Sequence, residues 1–246
     1  MAPVPWHIVA LRNDQGIVLR GFPFGEADRV VVLLSPNSGK IRAVAKGVRK
    51  TKSRFGGRLE PFTHVDLVVY EGRNLGTITQ VSVIEAFPAV RADLDRVLAA
   101  GTMVEVADAI THEGEPALRA FLLLQRGLKA LDAGPRHPDV VAAFLLKAAA
   151  VVGVAPALDH CAGCGRREDL TLFSFAGGGV LCENDRIPGA IVLRPGLTGY
   201  LAGIAAADLA ALPASDPGFS GEAMGVTRRF IEYHLERRLA SLTVDA

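Results

Sequence analysis

The sequence predicts an α+β protein: a small β-barrel near the N-terminus, then a helical domain that carries a cysteine-bearing insert. Three observations predict it. Five β-rich segments crowd between residues 15 and 85 with no helix of normal length between them. The apolar period becomes helical at Phe87-Pro88. Periodicity is then lost over 159–190, the stretch that holds all three cysteines, and returns after Pro195.

The barrel segments are short. Gly16 to Arg20 is β-rich, and Val30 to Leu34 is a continuous apolar run. Ser35 to Gly39 is a turn cluster, after which Lys40 to Ala45 alternates with period two. Val65 to Tyr70 is a further run, Glu71 to Gly76 a turn, and Thr77 to Ile84 alternates again. In the helical part, Leu94, Val97, Leu98, Gly101, Val104 and Ala107 fall on one helix face. Pro116 to Leu131 and Pro138 to Val152 predict two more helices, separated at Ala133-Gly134-Pro135. Phe219, Ala223, Val226, Phe230 and Tyr233 predict the apolar stripe of a last helix, with Arg228 and Glu232 paired at i,i+4. The domains read as an N-terminal extension (1–10), a barrel (11–86), a first helical part (87–158), the insert (159–190) and a second helical part (191–246).

With half its residues hydrophobic, the chain has enough apolar material for a core, which excludes a disordered protein. The most apolar stretch, Val140 to Leu158, is interrupted by Lys147, Gly153 and Pro156 and reads as a buried bundle helix, not a membrane span. Met1 to Arg12 has no basic n-region, so no secretory signal is expected.

Charge is unevenly distributed. Lys40, Arg42, Lys46, Arg49, Lys50, Lys52, Arg54 and Arg58 form a run of eight cations containing no Asp or Glu. Setting those eight aside, the other 19 basic residues face 26 acidic ones. A near-neutral chain therefore hides a basic island on an acidic body, as suits a protein with one polyanionic partner. Lys40 and Arg42 share strand parity and should face one way. Lys46 to Arg58, with Gly47, Ser53, Gly56 and Gly57, reads as a flexible loop. Eight like charges repel unless phosphates neutralise them, so the run reads as a nucleic-acid contact with steep salt dependence. Phe55, inside the run, is expected to stack on an exposed base. No recognition-helix pattern accompanies the run, so contact with phosphates rather than base edges is expected.

Cys161 and Cys164 form one C-x-x-C, and Cys182 follows. A second C-x-x-C needs a cysteine at 185, where Asp185 stands. Cys161, Cys164, Cys182 and Asp185 make a workable tetrahedral zinc set. His160 is a rival donor, but as the neighbour of Cys161 it is poorly placed to reach the same ion. No His-x-Glu lies upstream as a zinc deaminase requires, and the loop from Phe173 to Leu181 offers no general base. The remaining candidates are bland. The histidines are scattered, Ala176 to Gly179 reads as a hairpin turn, and Gly25 to Arg29 as a turn entering a strand. Arg119, Arg126 and Lys129 share a helix face, read as solvated with an acidic peptide as the alternative. No catalytic residue is expected.

Several of these segments together resemble a known family. Gly16-Ile17-Val18-Leu19-Arg20, Gly25-Glu26-Ala27-Asp28-Arg29, Gly39 to Arg49 and Leu59-Glu60-Pro61-Phe62 resemble the N-terminal domain of the bacterial RecO DNA repair family. The C-x-x-C with its third cysteine fits too. The resemblance spans about residues 11 to 242 and is most specific in the first 85. It implies an OB-fold barrel, a helical domain and an inserted zinc-ribbon-like module. It also implies a non-catalytic recombination mediator that binds single- and double-stranded DNA and anneals complementary strands. With RecR, such a protein helps load RecA onto DNA coated by single-stranded DNA-binding protein, SSB. The implied location is cytoplasmic and nucleoid-associated. The family's basic DNA-binding region maps onto Lys40, Arg42, Lys46 and Arg49, with Lys50, Lys52, Arg54 and Arg58 as an extension. Its zinc cysteines map onto Cys161, Cys164 and Cys182, and Asp185 departs from the four-cysteine form. Residues 1–10 receive no family role. Two other readings stand beside this one: an adaptor that recruits RecR and SSB with secondary DNA contact, and a zinc-dependent enzyme acting on nucleic acid.

Overall fold

The computed structural model describes residues 11–72 and 75–242, so the predicted extension 1–10 lies outside the described residues. The chain divides into two compact units. The first runs to Phe87 and takes in Thr111–Phe121, and the second holds Pro88–Ile110 and the chain from Leu122 onward. Thr111–Phe121, which sequence periodicity assigns to the helical part, thus groups with the barrel.

Five strands build the first unit: β1 (Leu11–Phe24), β2 (Asp28–Ser35), β3 (Gly39–Ala45), β4 (His64–Tyr70) and β5 (Gly76–Glu85). They close in the order β1-β2-β3-β5-β4, antiparallel except for β3 and β5, which pair in parallel at Ala43 and Gly76. This is an OB-like barrel. β1 is far longer than its β-rich centre at 16–20. Its first half pairs with β4 from Leu11↔Tyr70 to Ile17↔His64, and its second half with β2 from Ile17↔Leu34 to Phe24↔Asp28. A register shift between Val18 and Arg20 interrupts the β1–β2 ladder, and such an irregularity bends a strand. Its polar stretch does not read as a strand because Asp14 is buried by tertiary hydrogen bonds, not by apolar character.

Val18, Val31, Leu33, Ile41, Ala43, Val65, Leu67, Val69 and Ile78 fill the barrel, alternating along their strands as a pleated sheet requires. Along β3, Ile41, Ala43 and Ala45 point inward, and the intervening Lys40 and Arg42 take the opposite face. Their shared parity is as predicted.

The second unit contains α1 (Pro88–Ala92), α2 (Leu94–Ala109), α4 (Val140–Val151), α5 (Leu197–Ala206) and α6 (Pro217–His234), with α3 (Leu118–Asp132) beginning in the segment assigned to the first unit. α4 is buried over most of its length, as its apolar run implied, with Ala150 exposed near its end, and no helix among the described residues is long and apolar enough to cross a membrane. On α2 the predicted stripe is only partly right. Leu94 is 73% exposed and Leu98 38%, while Ala99, Ala100, Met103, Val106 and Ala107 are buried. The helix buries mainly its alanines, Met103 and valines, and its small alanines allow close packing where leucines do not. On α6 the stripe holds through Ala223, Val226 and Phe230, whereas Tyr233 is half exposed and Ile231 takes the buried place. Arg228 pairs with Glu232 at 3.3 Å.

The insert carries a small sheet, β7 (Gly179–Cys182), β6 (Leu170–Ser174) and β8 (Ile191–Val192), in the order β7-β6-β8. The glycine run forms the hairpin turn between β6 and β7, as expected. Leu172 and Leu181 pack there against Cys161 and Cys182, so the cysteines belong to the insert's own core.

Candidate nucleic-acid interface and metal centre

The basic run starts on β3 and continues through the connection to β4. Arg42, Lys46, Arg49, Lys50, Lys52, Arg54 and Arg58 are exposed, and Lys40 is half-buried. Lys46, Arg49, Lys50, Lys52, Arg54 and Arg58 make no ion pair with any described residue. Two acids near the run are engaged by groups other than its cations. The Asp28 carboxylate accepts the Gly47 N–H at 2.7 Å, and Glu60 pairs with Arg29 at 3.0 Å.

The connection is mostly irregular, as the sequence implied, and it is anchored to the barrel. The Arg49 N–H donates to the Ala27 carbonyl at 2.9 Å, and its guanidinium to the Gly25 carbonyl at 3.3 Å. A single 3-10 turn, Gly56–Leu59, follows. Phe55, just before that turn, and Leu59, its last residue, are each 1% exposed and sit in the barrel core, with Val48 packed against the core. Phe55 is therefore no stacking platform. Burying a ring of that size offsets the cost of ordering a polar loop, and the ring keeps its position by filling the barrel. Arg54 lies over the ring face, 4.7 Å from its centroid, and Arg58 donates to the Arg54 carbonyl at 2.9 Å. The cations are thus displayed on a loop pinned from below.

Arg42 has an acidic partner, Glu113, at 3.6 Å. Sequence reasoning missed Glu113. It lies far along the chain in a stretch with no motif, and only the return of 111–121 to the barrel places it here.

In the insert, Cys161, Cys164, Cys182 and Asp185 converge, with one donor atom from each lying within 4.8 Å of all the others. The Cys161 and Cys182 thiols donate to Asp185 Oδ2 at 3.2 and 3.1 Å, and the Cys164 and Cys182 sulfurs are 3.8 Å apart. Zinc–sulfur bonds of about 2.3 Å in a tetrahedron put sulfurs about 3.8 Å apart, so the donor set fits a zinc-sized ion. The loop is built for this. The Cys161 N–H donates to the Arg166 carbonyl at 2.7 Å, and the Gly165 N–H closes the turn onto the Cys161 carbonyl at 2.9 Å. A Cβ on Gly163 would fall 2.9 Å from Asp185 Cγ, so glycine is needed for the carboxylate to enter. His160 turns to Asp159 at 2.7 Å and is not part of the cluster.

Electrostatics agree with a cation's site. Thiol hydrogen bonds from Cys164, Cys182 and Cys161 hold Asp185 below the usual carboxylate range, and the same carboxylate pushes the Cys164 thiol up to about 11. Burial works against ionising Cys161, but N–H groups of Cys164, Cys182 and Gly163 aimed at its sulfur bring it below the ordinary thiol value. The cluster holds protons that a divalent cation would displace. When bound, zinc would act as a structural cross-link between the C-x-x-C loop and the end of β7.

The face predicted on α3 is present: Arg119, Arg126 and Lys129 are all exposed.

With the barrel and the cysteine cluster in place, comparison with known proteins is informative. The family model described as Recombination protein O N terminal matches residues 10–87, and Recombination protein O C terminal matches 91–243. The chain belongs to the RecO family. Among RecO relatives, the DNA repair protein RecO of Frankia casuarinae is 45% identical over 233 residues, covering 94% of this chain and 96% of the relative. That of a Nocardioides species is 43% identical, covering 94% and 98%, and that of Streptomyces avermitilis 41%, covering 95% and 98%. The RecO models meet between 87 and 91, where the strands give way to helices.

Proposed function

We propose that this RecO-family chain acts in DNA repair as a non-catalytic recombination mediator. It binds single- and double-stranded DNA through Lys40, Arg42, Lys46, Arg49, Lys50, Lys52, Arg54 and Arg58, and anneals complementary strands. With RecR it helps load RecA onto DNA coated by SSB. The observation that carries this reading is the anchored basic loop, whose cations from Lys46 to Arg58 have no acidic partner among the described residues, while Asp28 and Glu60 are engaged by other groups. Annealing requires two phosphate backbones to be neutralised without reading bases, so that complementary strands can approach. Exposed cations on a pinned loop suit that task, and the burial of Phe55 leaves phosphate contact as the loop's main interaction. The partner steps with RecR and SSB, and the placing of the protein with the nucleoid in the cytoplasm, rest on family membership. Zinc held by Cys161, Cys164, Cys182 and Asp185 has a structural role in this reading, and no residue is assigned a catalytic one.

The test is a variant with Arg42, Lys46, Arg49, Lys50 and Lys52 all changed to Ala, measured for single-strand and duplex binding and for annealing across a salt series. Binding should fall by orders of magnitude at low salt, and the dependence of log affinity on log salt should flatten by roughly 0.7 per lost phosphate contact on single strands. Retention of binding and annealing would move the site elsewhere and favour an adaptor that recruits RecR and SSB.

A further inference from the structure

We propose that Glu113 sets the DNA affinity of the basic surface by occupying Arg42 in the free protein and competing with phosphate for it. This rests on the reading of the basic run as the DNA site.

The position of Glu113 is imposed by backbone, not by the ion pair. The Lys40 N–H donates to the His112 carbonyl at 2.9 Å, and the Gly114 N–H donates to the Ser38 carbonyl at 3.1 Å. Glu113 itself forms β-bridges to Gly39 and Lys40. Gly39 permits this approach. Its φ is +63°, and a Cβ there would lie 2.1 Å from the Glu115 carbonyl oxygen and 2.4 Å from that of His112. The β2–β3 turn is held from the other side as well, since Ser35, Asn37 and Ser38 all donate to the Asp14 carboxylate. A carboxylate is therefore held beside the first outward-facing arginine of the run.

The pair is well suited to exchange. Arg42 and Glu113 side chains are 44% and 57% exposed and 3.6 Å apart, so solvent screens the contact and it opens readily. Yet Glu113 cannot diffuse away as a counterion does. A phosphate reaching Arg42 must displace the carboxylate and then remain near it. The expected consequence is weaker binding and a shallower salt dependence than the count of cations implies, which favours release and re-pairing of strands.

The experiment compares the full-length protein with E113Q, E115Q, R42Q and R42Q/E113Q, using a fluorescent single-stranded oligonucleotide over a salt series. E115Q removes the same charge two residues away and controls for net charge. E113Q should tighten binding about three- to tenfold at low salt, steepen the salt slope by about 0.7, and lose its advantage as salt rises. In the R42Q background the same change should have no more effect than E115Q. Equal effects of E113Q and E115Q, or an undiminished E113Q effect without Arg42, would overturn the proposal. The five-alanine variant in the same series keeps the two ideas apart. If it loses binding while E113Q matches E115Q, only the role of Glu113 falls; if it still binds, the DNA site itself is misplaced.

Discussion

Asp14 shows how one buried residue can organise a functional strand. It is 6% exposed, and burial alone would raise its pKa. Hydroxyls of Ser35 and Ser38, the Gln15 N–H and the Asn37 amide outweigh that and hold it below the ordinary carboxylate value. A depressed folded pKa means that the carboxylate's contribution is fully present above the unfolded value, near pH 3.9, and is lost as pH falls through the folded value. Asp14→Asn should therefore cost about 1–3 kcal/mol in urea unfolding at pH 7. The gap between variant and parent should narrow below pH 4, and a gap that stays constant with pH would show that shape, not charge, is what matters. Phe55 carries the opposite lesson. Its place among cations marks a base-stacking ring when only charge and neighbours are considered, but the ring packs into the barrel core, which sequence order does not reveal.

At the scale of elements, the strands of the barrel were legible where burial produced alternation or an unbroken apolar run, as along β3 and β2, and illegible in the polar first half of β1. The same holds for helices: α6 shows its stripe, while α2 buries small residues and leaves Leu94 out. The metal loop was legible because donor spacing is a local property. Its convergence at the end of β7 depends on the Ala162 N–H donating to the Val180 carbonyl at 2.8 Å, which brings the C-x-x-C loop to that strand. Protein purified without chelator should carry about one zinc, and Cys161→Ala should lose it and lower the thermal midpoint of the insert's unit. Asp185→Cys completes a second C-x-x-C and should raise zinc affinity in competition with a colorimetric chelator, because thiolate is the softer and stronger zinc donor. Equal affinity in the two forms would place Asp185 outside the coordination set.

For the molecule as a whole, a net charge of +1 conceals a division between basic surface and acidic remainder. Like charges crowded on one loop repel in the free protein, so removing them should not weaken the fold. The five-alanine variant is expected to unfold within about 1 kcal/mol of the parent, or slightly above it. The parent should gain thermal stability on adding single-stranded oligonucleotide, by mass action on the native state, and the variant should not. A variant destabilised by several kcal/mol would assign these cations to the architecture of the barrel.

The sequence by itself determined the fold class, the run of cations, and the three cysteines with Asp185, because alternation, charge and donor spacing are written in residues near one another. Only the tertiary structure decided that Phe55 is core and the loop fixed, that the segment 111–121 belongs with the barrel, and that Glu113 faces Arg42. Those outcomes depend on which distant segments share a volume. The free energy that settles them comes from filling the barrel and satisfying backbone hydrogen bonds across it, and neither quantity is carried by any short stretch of chain.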